Sequence, residues 1–169
     1  GSIIFDHKSK KAYACISPRT DQALFISTCE LLGYQPISFH ANDSDGKAIY
    51  HTNVMLCIAE HFAAICLESI SNEEERMHVI ESLTESGHQI IEISFAQMYH
   101  FAGNMLALES NDGRPLLALS QSAFTSLTND QKDKIEQHNT LVPLAINTIE
   151  TIGGGSARCM IAEIFLHSR

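Results

Sequence analysis

The chain has 169 residues, 44% of them hydrophobic and 18% charged, the proportions of a globular domain with enough material for one buried core. A formal net charge of −9 argues against nucleic acid as a partner, because cations would have to dominate a contact with phosphates. No apolar run approaches the roughly 18 residues of a membrane helix, and residues 1–8 have none of the pattern of a secretory leader.

Two short strands are predicted at residues 2–5 and 12–16, joined by a polar turn. A helix should follow, with Ser17 as cap, Pro18 in its first turn and Gly33 at its stop. Its buried face would carry Leu24, Phe25, Thr28, Cys29 and Leu32, which recur at helical spacing. A third strand is expected at 35–39. The same order then returns. Strands at 53–59 and 62–68 flank the turn Glu60-His61. The run Ser71-Asn72-Glu73-Glu74 reads as a capping box opening a helix through Met77, Ile80 and Leu83 to Gly87, and a strand closes the unit at 89–93. A third round places strands at 104–108 and 116–119 about the hairpin signal Asn111-Asp112-Gly113-Arg114-Pro115. Its capping box is Thr128-Asn129-Asp130-Gln131, its helix stops near Asn139, and its last strand covers 140–144. A further strand is predicted from Ser156 to Phe165.

The strand-strand-helix-strand order repeats with a period of about 51 residues, within the range of propeller-like arrays. The expected fold class is therefore α/β, a partial α/β propeller of about three and a half repeats, at approximately 1–50, 51–102, 103–154 and 155–169. Such an array leaves an edge and a face uncovered, so further blades are expected outside this chain, in a longer polypeptide or as a separate chain. The sequence leaves a homo-oligomer open.

The five cysteines contain no CxxC pair and fit free thiols in a reducing cytoplasm. Cys15, Cys29, Cys57 and Cys66 lie in apolar patterns, as small buried hydrophobes do. Cys159 differs. It follows Gly153-Gly154-Gly155-Ser156-Ala157-Arg158, where glycines admit close approach of a ligand and the Arg158 cation favours thiolate, the nucleophilic form. A glycine-rich loop before a strand with an ordinary buried cysteine explains the same residues. His51, in Tyr50-His51-Thr52-Asn53, opens a predicted strand equivalent to that of Cys159, and in a radial array the starts of equivalent strands converge on one end of the axis.

The segment GGGSARCM resembles the nucleophile loop of arginine deiminases, in which a proline stands at the place of Ala157. His51-Thr52-Asn53 resembles the His-x-Asp of the same superfamily, the five-bladed pentein propellers. The segments YHTNVMLCIAE, HFAGNML and INTIETIGGGSARCMIAEIFL are most similar to a bacterial branch of amidinotransferase-like, citrulline-utilising hydrolases. The resemblance implies a cysteine-dependent enzyme that hydrolyses or transfers at C–N bonds of a small guanidino or ureido compound, without cofactor or metal. In it Cys159 is the nucleophile and His51 the proton-transfer partner, with Asn53, Arg158, Gly154 and Gly155 at the substrate. Asn53 stands where deiminases hold an aspartate; a neutral amide there points to a neutral substrate such as citrulline, while its oxygen can also accept from guanidinium N–H groups. Gly154 stands where they hold the arginine for the substrate carboxylate, so that group would be met elsewhere. Asn104, also within the resemblance, is expected to serve strand-opening structure. Two other readings are a non-catalytic binding propeller, as in the ribosome anti-association factors of this fold, and a fragment inactive without its N-terminal blades and their carboxylates.

Overall fold

The computed structural model describes residues 1–162 as an α/β array of three small sheets with helices packed on them. The first sheet comprises β1 (Ile4–Asp6), β2 (Lys11–Cys15) and β3 (Gln35–Phe39). The second comprises β4 (Leu56–Ile58), β5 (Phe62–Ile65) and β6 (Gln89–Glu92), and the third β7 (Leu106–Glu109), β8 (Pro115–Ser120) and β9 (Thr140–Leu144). In each, the first two strands pair antiparallel through a short turn. The third pairs parallel to the second after a helical crossover, as parallel neighbours require. The middle strands are the most enclosed, with Ala12–Cys15 and Phe62–Ile65 wholly buried, which accounts for their unbroken apolar character. The first strands lie side by side, β1 against β4 and β4 against β7. The three sheets do not close into a barrel among the described residues.

Helix α1 (Gln22–Leu32) starts later than the sequence suggested. Asp21, whose carboxylate accepts from Leu24 N, caps it in place of Ser17, because Ser17 is engaged in a bridge with Thr20. Gly33 terminates it in the left-handed conformation at φ 74°, as expected. Only Phe25 and Cys29 of its predicted buried face are enclosed, against Ala12 and Ala14. Leu24 and Leu32 remain 67% and 53% exposed, and so does Leu31, since the small alanines opposite leave a narrow seat. Helix α2 (Glu73–Glu85) is capped by Asn72, which accepts from Glu75 N, so the cap sits one residue later than the predicted box. The third crossover contains α4 (Gln121–Ser126) and α5 (Asn129–Glu136), and the reciprocal Thr128–Gln131 capping box opens the latter. The predicted strand at 53–59 begins as a 3-10 turn, Thr52–Val54. The short helices α3 (Phe95–Tyr99) and α6 (Asn147–Gly153) were not expected. The strand predicted from Ser156 begins as the one-turn helix α7 (Ala157–Met160), and its remainder from residue 163 lies outside the described residues.

Polar pins fix the first sheet to the second. Tyr13 Oη lies 3.0 Å from Ser82 Oγ, Lys11 Nζ donates to Ser82 O at 2.9 Å, and the buried His88 Nε2 meets Asp6 Oδ2 at 2.8 Å. Gln131 Nε2 donates to Glu92 O at 2.7 Å and ties the third sheet to the second. Among the described residues no helix is long and apolar enough to cross a membrane.

Candidate active site

The lead-in segments of successive units converge at one end of the array and are chained by hydrogen bonds. Asn53 N–H donates to Gly1 O at 3.0 Å, Asn104 Nδ2 donates to Asn53 O at 2.9 Å, and Arg158 N–H donates to Asn104 O at 3.4 Å. Gly103 makes this convergence possible. A Cβ there would lie 2.3 Å from Val54 O and 2.9 Å from Met55 C and Cα, so only glycine fits without moving backbone.

Cys159 sits on α7 and is the exposed one of the free cysteines; Cys15, Cys29, Cys57 and Cys66 are buried, as expected. Burial pushes the Cys15 and Cys66 thiols up to about 11, which keeps them protonated and inert. Asn53 Nδ2 donates to Cys159 Sγ at 3.6 Å, and the sulfur donates to Asn104 Oδ1 at 3.4 Å. His51, Asn53, Arg158 and Cys159 line one cleft of about 340 Å³, together with Gly1, Leu106 and Ile161. Four of the predicted site residues therefore meet in one place. Burial first, then nearby positive charge that includes Arg19, push the His51 pKa below its ordinary value. Its ring lies 4.9 Å from that of Tyr50, over which Arg19 stacks at 5.1 Å.

His51 itself caps the 3-10 turn in extended conformation rather than opening a strand. Asn53 is buried, and its Oδ1 has no partner among the described residues. A buried acceptor without a donor is costly, and at a cleft wall it is suited to a ligand N–H. Arg158 is half-buried and forms no ion pair among the described residues.

Gly154 and Gly155 lie apart from that cleft. They line a second one of about 270 Å³ on another side of the thiol, walled by apolar and aromatic side chains including Tyr50, Val54, Met98 and Phe101. Gly154 ends α6 at φ 67°. A Cβ on Gly155 would lie 3.2 Å from Cys159 Cβ and 3.5 Å from Sγ, so this glycine leaves room for the thiol. Sequence reasoning missed Glu150 and Ser156, both buried, whose 2.6 Å hydrogen bond fastens the glycine loop from α6 to α7. No spacing signal marks that pair. Among the described residues no group of three or more His, Cys, Asp or Glu side chains is arranged to hold a metal ion.

A family model described as N,N dimethylarginine dimethylhydrolase, eukaryotic, matches residues 1–166. No curated protein matches the chain. Among solved structures it is similar to the product-bound N-terminal domain of ArgZ, an arginine dihydrolase from the ornithine-ammonia cycle in cyanobacteria. The TM-score is 0.70 at 16% identity over 94% of this chain and 53% of that one. The complex of AgrE with ornithine and NAD+ gives 0.72 at 16% identity, covering 94% of this chain and 21% of that one. Agmatine deiminase from C. jejuni gives 0.57 at 13% identity, covering 100% and 56%. The chain thus spans about half the length of the ArgZ domain it matches. Likeness at such identities speaks to the fold, which is that of these enzymes.

Proposed function

The chain belongs to the N,N dimethylarginine dimethylhydrolase family of the pentein superfamily, and on that footing we propose that it carries the thiol half of a cysteine-dependent hydrolase acting on a C–N bond of a guanidino or ureido compound. The observation that carries this reading is the single cleft in which Cys159, His51, Asn53 and Arg158 converge. Arginine dihydrolase and agmatine deiminase among the similar structures are named for guanidino substrates.

The Cys159 thiolate adds to the central carbon of the substrate. Collapse of that adduct breaks a C–N bond, and His51 gives its proton to the departing amine. Water then attacks the carbon of the thiol-bound intermediate while His51 takes back a proton. The C–S bond breaks, the ureido or carbamate product leaves, and the sulfur retains its electron pair. Asn53 Oδ1, buried and unpartnered, accepts a substrate N–H. A neutral amide at this position suits a ureido group such as that of citrulline, where a carboxylate would select a cation. Arg158, a cation without an ion pair among the described residues, offers a place for a substrate carboxylate.

The test is ammonia release from citrulline and from arginine by the full-length protein and its Cys159→Ser variant. Turnover that favours citrulline and vanishes with the substitution is expected; release sustained by the serine variant would refute the thiol mechanism.

A further inference from the structure

Asn104 is buried beneath the thiol, and its two amide atoms point at different partners. The nitrogen lies 2.9 Å from the Asn53 carbonyl oxygen and the oxygen 3.4 Å from Cys159 Sγ. Their orientation is chemically fixed. A carbonyl oxygen can only accept, so the NH2 must face Asn53 and the oxygen must face the sulfur. The residue is held from below as well, because Gly103 lets its backbone press against Val54 and Met55 with no space for a side chain. Its own carbonyl accepts from Arg158 N–H at 3.4 Å. Asn104 is thereby tied to the segment of Asn53 on one side and to that of Cys159 on the other. A residue needed only to open a strand has no reason to direct an acceptor at sulfur.

We propose that Asn104 aims the nucleophile: its carboxamide oxygen receives the Cys159 S–H and holds the sulfur against Asn53, at the cleft that His51 lines. The inference rests on the thiol mechanism proposed above and adds a residue to it. The side chain sets the direction of the sulfur, and its replacement must change how the thiol reacts as well as how fast substrate turns over. An uncharged residue too short to reach sulfur releases the S–H acceptor, which favours loss of the proton. A carboxylate in the same place adds a negative charge beside the sulfur, which opposes it. The two substitutions therefore have opposite signs.

The experiment compares Asn104→Ser and Asn104→Asp with the parent in the full-length protein. Three quantities are read: alkylation of Cys159 by iodoacetamide as a function of pH, steady-state turnover, and the thermal midpoint. The other charged or titratable side chains on the cleft, namely His51 and Arg158, are unchanged. In Asn104→Ser, alkylation at pH 7 should quicken by about fivefold, corresponding to one hydrogen bond, while kcat falls at least tenfold with little change in KM. In Asn104→Asp, alkylation should slow by at least tenfold and its rate profile should move to higher pH. If Asn104→Asp does not fold, the opposed changes in alkylation and turnover of Asn104→Ser decide alone. Unchanged alkylation in folded variants overturns the proposal, and so does a parallel loss of alkylation, turnover and thermal midpoint. Failure of this inference is separable from failure of the mechanism beneath it, because the Cys159→Ser variant tests the latter independently of Asn104.

Discussion

Replacing Gly103 by alanine tests whether the close approach of two lead-in segments builds the site. The added Cβ would stand 2.3 Å from Val54 O and 2.9 Å from two backbone atoms of Met55, whereas an ordinary contact needs about an ångström more. No flexible side chain can yield, so the two segments must separate. Overpacking of this kind costs about 1–3 kcal/mol, and a clash with backbone alone belongs at the upper end, about 3 kcal/mol. For a domain of this size that corresponds to a fall in thermal midpoint of roughly 6–12 °C. Separation also draws Asn104 away from Asn53 O and from the sulfur, so catalytic loss should exceed what the lost stability explains. Urea unfolding of Gly103→Ala, paired with turnover under conditions where the variant is fully folded, measures both. An unfolding midpoint equal to that of the parent, with turnover intact, would refute the argument that this glycine is dictated by space.

Gly155→Ala places a methyl group 3.2 Å from Cys159 Cβ, so kcat/KM should fall about tenfold or more while the thermal midpoint moves little, since the loop is partly open to solvent. The alkaline limb of kcat/KM should lie below the usual histidine range, because His51 must hold the proton it gives to the departing amine, and burial and then nearby cations that include Arg19 disfavour the protonated ring. Arg19→Ala removes one of those cations, and the limb should shift upward by a few tenths of a pH unit; a downward shift would contradict the assignment. The same depression has a sign in stability. The unfolded chain binds the His51 proton more tightly, so stability should decline as pH falls from about 6.5 toward the folded value, and this slope should vanish in His51→Gln.

Much of this architecture is legible in the sequence where local rules act alone. The Thr128–Gln131 capping box, the hairpin about Gly113 and the left-handed stop at Gly33 appear where their residue types demand. Elements whose form depends on neighbouring units are harder to read. Residues 52–54 and 157–160 look like strand openings by pattern, yet they wind into short turns, with one N–H of each, that of Asn53 and that of Arg158, given to the lead-in of another unit. The exposed leucines of α1 follow helical spacing, but only the sheet shows that alanines seat two of its residues. For the site, the resemblance picked out Cys159, His51, Asn53 and Arg158, which meet in one cleft, whereas Gly154 and Gly155 face another. The Glu150–Ser156 clasp and the contact of Asn104 with sulfur join residues through the fold. Sequence spacing carries no trace of them.

The chain of hydrogen bonds from Gly1 O to Asn53, from Asn53 O to Asn104 and from Asn104 O to Arg158 draws on main-chain oxygens at every acceptor. A scaffold whose acceptors are peptide groups persists when side chains above it are exchanged, save at Asn104, whose own carboxamide donates the middle link. Each duplicated unit thereby contributes a socket of fixed position: one holds imidazole and amide, the next a carboxamide, the last a thiol. Descent with modification can refit one socket at a time, so altered substrate preference in such proteins asks for single replacements within an inherited frame, with no redesign of the blades that bear them.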